Sequence, residues 1–208
     1  MMPNRLAGFL ALLAGLVALL VSLPFAVAYF RAYGAGEPTP VWLTAFGDAY
    51  PSLLVFASRT RVYQLYGRIY SAVIPLTIPG LLVLKRWIGT DTRLSRGGWR
   101  IFFCGALLAG LGICGDYWPD PDSFWVGTGF MLEIAGMLVL WGGAILYGKA
   151  AVREDHSPAW VGAALIGIAP GGMLGMGLLA HMPSGPLFGY ALFWLVMGGA
   201  LIGRRFPF

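Results

Sequence analysis

Apolar residues in this chain fall in long unbroken runs rather than in alternation, and short segments between the runs carry most of the charge. Six runs stand out, at 6–30, 63–84, 99–118, 124–148, 159–180 and 187–202. A hydrocarbon core about 30 Å thick takes about 20 residues of helix to cross. Only helices and closed barrels satisfy every backbone group there, and barrel strands alternate over about ten residues. Continuous runs therefore predict an all-α membrane protein, a six-transmembrane-helix bundle forming a single polytopic domain over residues 1–208. The first run follows MMPNR and holds Ala26-Val27-Ala28, a cleavage-like site, so it resembles a secretory leader. Its length exceeds the apolar core of about 7–15 residues in such leaders, and it reads as a retained first span.

Between spans one and two, residues 40–57 show a different rhythm. Trp42, Phe46, Ala49, Leu53 and Phe56 recur at spacings of four and three, with Thr44, Asp48 and Ser52 turned elsewhere. That spacing defines one face of a helix and predicts an additional amphipathic helix lying in the outer interface, bent at Pro51. A lid over the bundle mouth is the alternative.

Proline and glycine add structure within the runs. Pro75 and Pro79 are expected to interrupt the second span, and Pro170 with Gly171 and Gly172 the fifth. These spans hold matching places in two three-span halves of opposite orientation, and paired broken helices in an inverted repeat point to a transporter site. A hairpin repeat competes, since Gly142-Gly143-Ala144 and Gly198-Gly199-Ala200 recur near the ends of spans four and six. Small residues line up as Ala163, Gly167, Gly171 and Gly175; as Ala7, Ala11 and Gly15; and as Ala106 and Gly110. Such stripes let helix backbones approach closely. They are expected to pack helices within the chain, with contact to other membrane-protein subunits as the alternative.

Composition agrees: 58% of residues are hydrophobic and 11% charged, with a mean hydropathy of +0.75. A soluble domain carries about 25% charged residues. The net charge of +5 is no nucleic-acid signal, because of where the cations fall. Arg5, the group Lys85, Arg86, Arg93, Arg96 and Arg100, the pair Lys149 and Arg153, and Arg204 with Arg205 flank alternate ends of the spans. Basic loops mark the cytoplasmic side, so both termini are expected there; Arg31, Arg59 and Arg61 in the first outer loop dissent. Short loops and a preference for arginine over lysine suggest a bacterial plasma (inner) membrane. Tyr117, Trp118, Phe124 and Trp125 outside, and Trp87 and Trp99 inside, are expected to anchor at the headgroups.

Candidate chemistry is sparse. Glu133 lies near the middle of the fourth run, where a lone carboxylate is costly and usually paired or functional. Its helical face also carries Gly129, Gly136, Leu140 and Gly143, so it is expected to point inward. Arg68, on a face with Arg61 and Gln64 and opposite Tyr63, Tyr66 and Tyr70, is the expected partner. Asp116, Asp120 and Asp122 offer oxygen ligands at a spacing that matches no calcium loop, and read as solvated loop charges. His156 and His181 fall on opposite faces of the membrane, too far apart to share a haem. Cys104 and Cys114 stand about 15 Å apart along one helix, too far for a disulfide, and are expected to be buried thiols. Phosphate-loop, nucleophile-elbow, zincin and CxxC motifs are absent.

No catalytic residue, metal or cofactor is expected. The candidate ligand- or ion-binding residues are Arg68, Asp116, Glu133 and His181, and the expected partners are membrane lipids and other subunits, not nucleic acid. Three functions fit: first a non-enzymatic accessory or scaffolding subunit of a membrane complex, then a small transporter or ligand-binding protein with an outer-half polar site, then a lipid-acting membrane enzyme.

Overall fold

The computed structural model describes residues 4–34, 39–120, 123–153 and 158–203, so Asp122, His156, Arg204 and Arg205 lie outside the described residues. Among these residues every regular element is helical: α1 (Asn4–Ala32), α2 (Val41–Ala49), α3 (Arg59–Tyr70), α4 (Val73–Ile88), α5 (Arg93–Tyr117), α6 (Phe124–Arg153), α7 (Ala159–Ile166), α8 (Ile168–Leu179) and α9 (Phe188–Gly203). Five segments are long and apolar enough to cross a membrane, with α3–α4 and α7–α8 each counted as one. The sixth run yields α9, only 16 residues or about 24 Å long. The preceding residues are not a solvated loop: His181, Pro183, Ser184, Gly185, Pro186 and Leu187 are all buried. Protein covers this irregular backbone, and Trp141 Nε1 donates to Pro186 O at 3.3 Å.

Proline breaks two spans, one turn upstream of where it sits. The helix stops at Tyr70 and resumes at Val73, and stops at Ile166 and resumes at Ile168. Pro75 and Pro170 each become the third residue of the resumed helix, where a missing N–H goes unnoticed. Pro79 stays inside α4 without ending it.

Each span packs on its neighbours in sequence, and α1 closes the bundle against α9. The start of α1 and the end of α9 lie at one end of the bundle, because Gly8 faces Leu201. The tightest pair is α5 with α6. Gly98, Gly105 and Gly112 on α5 and Gly129, Gly136 and Gly143 on α6 recur every seven residues. A Cβ on any of the six would stand 2.1–2.6 Å from a backbone nitrogen of the facing helix. A seven-residue period keeps one seam in contact along two helices, and glycine lets the backbones themselves touch.

The pair α1–α9 repeats this register. Gly136 faces Ala109 N, Gly143 faces Phe102 N, and Gly105 faces Leu140 N. Likewise Gly8 faces Ile202 N, Gly15 faces Leu195 N, and Gly198 faces Leu12 N. Spans three and four thus pair in the same register as spans one and six. The breaks, however, do not meet at one level. Ser71 accepts from Trp118 Nε1 at the far end of α5, whereas Gly162 faces Gly148, which sets Gly167 about level with Gly143.

Helix α2 ends just before Pro51, where the bend is expected. The chain turns at Tyr50 into a short 3-10 turn, Pro51–Leu53, and the face buried against the bundle is Leu43 with Gly47. The stripe of Trp42, Ala49, Leu53 and Phe56 stays exposed.

Candidate functional site

Glu133 is set by the closest stretch of the α5–α6 seam. A Cβ on Gly112 would stand 2.3 Å from Glu133 N, so the carboxyl-bearing turn is pressed into the bundle. The side chain is fully buried, and among the described residues neither carboxylate oxygen has a hydrogen-bond partner. A buried polar group without partners is unusual enough to need an explanation.

Arg68 is not that explanation. It is exposed, donating from Nε to Tyr117 O at 3.0 Å and from Nη2 to Trp118 O at 3.5 Å, with its guanidinium over the Trp118 ring at 5.7 Å. The expected Arg68–Glu133 pair does not form. Arg68 is level with Tyr117, five residues beyond Gly112 and hence about 7.5 Å farther along α5. There it satisfies the last carbonyls of α5, which no helical N–H reaches.

Glu133 lies within electrostatic reach of the Tyr63, Tyr70 and Tyr117 hydroxyls and of Asp116. Asp116, in the last turn of α5, is half-buried. Tyr63 comes from the first turns of α3, and Gly67 lets that helix press on the Tyr117 ring, where a Cβ would stand 2.1 Å away. His181 enters from the buried segment after α8.

Four polar side chains form one chain. His181 Nδ1 lies 2.8 Å from Ser184 Oγ and Nε2 lies 3.4 Å from the Tyr63 hydroxyl. Tyr63 and Tyr117 hydroxyls are 2.9 Å apart, and Tyr117 donates to Met182 O at 3.4 Å. Because a carbonyl only accepts, the direction propagates back: Tyr117 accepts from Tyr63, Tyr63 from His181 Nε2–H, and Nδ1 from Ser184. A neutral imidazole satisfies every link. Burial agrees, pushing His181 down to about 3. Phe25 of α1 fills the centre, its ring 4.6 Å from His181, 5.2 Å from Tyr63 and Tyr117, and 5.6 Å from Tyr70.

Asp116, Glu133 and His181 therefore share one neighbourhood at the end of the bundle away from the start of α1 and the end of α9, with Arg68 at its rim. Sequence reasoning missed Phe25, Tyr63, Tyr117 and Ser184. Tyr117 was expected at the headgroups, yet it is buried, as is Trp99, whereas Trp118, Phe124 and Trp125 are exposed. The missed signal was HMPSGP, a supposed water-facing loop with almost no charge. Cys104 is exposed and Cys114 half-buried, so the expectation of buried thiols fails, and both are free.

Comparison with protein-family models, with curated proteins and with solved structures finds no match to this chain. What fold and composition establish is the class: a helical bundle with several membrane-spanning helices, hence a membrane protein.

Proposed function

We propose that this chain is a small multi-pass transporter or ligand-binding protein of a bacterial plasma membrane, working through Glu133 in the outer half of the bundle. In this reading there are six spans, α1, α3–α4, α5, α6, α7–α8 and α9, both termini are cytoplasmic, and the exposed stripe of α2 lies in the outer interface. Asp116 and His181 belong to the site with Tyr63 and Tyr117, and Arg68 stands at its rim. The observation that supports it is a fully buried carboxyl group with no hydrogen-bond partner among the described residues beside a continuous hydroxyl–imidazole chain. Phe25 occupies the centre, so the ligand that needs no rearrangement is a proton. Pro24, beside it inside α1, removes one backbone hydrogen bond and lets that helix bend. No cofactor or catalytic centre enters the reading.

The test is uptake by proteoliposomes. Vesicles with wild-type protein or Glu133→Gln, under a pH gradient, are loaded from a metabolite mixture and their contents compared by mass spectrometry. Accumulation of a solute by wild type alone supports the reading, and identical contents remove it.

One observation favours the accessory-subunit reading instead. Gly142, Gly177 and Gly199 face outward with open space around them, room for another helix. Native mass spectrometry of gently extracted protein decides this: a stoichiometric protein partner supports a subunit, and a bare monomer counts against one.

A further inference from the structure

Two of the three arginines that break the charge pattern of the loops, Arg31 and Arg59, line one feature. A cleft of about 350 Å³ opens between the end of α1 and the start of α3, lined by Phe30, Arg31, Leu54, Val55, Ala57 and Arg59. Its basic group is Arg59, whose Nη1 donates to the backbone Arg31 O at 3.4 Å across the cleft. Arg31 Nη2 is turned toward α2, donating to Gly47 O at 3.1 Å, and the nearest acid among the described residues, Asp48, stands at 4.0 Å from it, mostly exposed. An ion pair that long and that open to solvent cancels little charge.

The helix end beside the cleft has the same polarity. Helix α3 begins at Arg59 with no acidic residue in its first turn, and Ser58 makes no side-chain cap. Its first N–H groups are thus without helical partners, at an end that favours anions. A cavity, the Arg59 guanidinium and a bare helix start converge on one kind of ligand, a tetrahedral oxyanion of the sort arginine recognises. The rim is apolar: Val55 and Phe56 are 68% and 53% exposed. A free ion would leave both in water, whereas an attached hydrocarbon chain would cover them.

We propose that this cleft binds the phosphate of an anionic phospholipid from the adjoining leaflet, with an acyl chain lying over Leu54, Val55 and Phe56. Arg59 is retained against the charge rule because it is occupied by lipid. The site shares no residue with the Glu133 cluster, so either can fail alone.

The experiment titrates dioleoyl phosphatidylglycerol or dioleoyl phosphatidylcholine into the full chain in mild detergent and counts retained lipid by native mass spectrometry. Expected is one tightly held phosphatidylglycerol, preferred over phosphatidylcholine by about tenfold, the worth of one charge-assisted contact. Arg59→Gln should lose about that factor, and Arg59→Lys, which keeps charge but loses the fork, should fall between. The Arg59→Lys variant also guards against misfolding as the cause. Equal retention of the two lipids, or unchanged affinity in Arg59→Gln, overturns the proposal. So does displacement of the lipid by inorganic phosphate at equal concentration, which would assign the cleft to free phosphate.

Discussion

Two adjacent glycines separate backbone contact from mere composition. At Gly143 an added Cβ would stand 2.1 Å from Phe102 N, whereas at Gly142 nothing lies within 4 Å. Ordinary contact begins at 3.4 Å, so Gly143→Ala forces α5 and α6 apart by about 1.3 Å at that point, a gap that forfeits more than a quarter of each dispersion well along the seam. Overpacking of this kind costs about 1–3 kcal/mol. Gly142→Ala meets no neighbour and should gain about 0.5–1 kcal/mol from restricting the unfolded chain. The two substitutions have the same chemistry and opposite expected signs. Reversible unfolding in mixed detergent micelles, followed by circular dichroism, reads both. If Gly143→Ala is as stable as wild type, or the two variants shift together, the helices do not touch at their backbones and the seam described above is wrong.

Other consequences concern the polar chain. Tyr63→Phe removes the hydroxyl that joins His181 to Tyr117 and should destabilise by about 1–3 kcal/mol, measured by the same unfolding; no change would mean the links are not made. Gly67→Ala should displace the Tyr117 ring at a cost of about 1–3 kcal/mol, with its near-ultraviolet dichroism altered; an unaltered spectrum would contradict the contact. His181, depressed to about 3 by burial, binds a proton in the unfolded chain but not in the folded one between about pH 6.5 and pH 3. Its contribution is therefore complete above pH 6.5 and falls with acidification, by about 1.4 kcal/mol per pH unit within that window. His181→Gln should flatten that slope, and an equal slope in both proteins would contradict it. Cys104 should react with a membrane-permeant maleimide faster than Cys114, and oxidation should leave both thiols free; the reverse order would place α5 the other way round.

The helices were legible because a bilayer leaves few alternatives: continuous apolar runs leave nothing else for the backbone to form. Helix breaks were legible to within a turn, displaced upstream because Pro75 and Pro170 act on the carbonyl four residues earlier. Other features depend on register between helices, which no single run encodes. Arg68 and Glu133 look paired by position within their spans, yet α3 sits farther out along α5 than counting along the spans implies. The α6 half of the seam was legible as one face with Gly129, Gly136 and Gly143, but on α5 only Ala106 and Gly110 were aligned, four apart, whereas Gly98, Gly105 and Gly112 meet α6 at a period of seven. Tyr117 shows the same limit: a ring with a polar tip suits a headgroup layer and a buried hydroxyl chain equally well.

Infrared titration of the reconstituted protein against Glu133→Gln tests most directly whether an inward, unpaired carboxyl group is the working centre. The account predicts a pH-dependent carboxyl band in the wild type that is absent from Glu133→Gln and displaced in Gly112→Ala, where the seam is forced open beside it. Spectra of wild type and Glu133→Gln that superimpose across the whole pH range would contradict it.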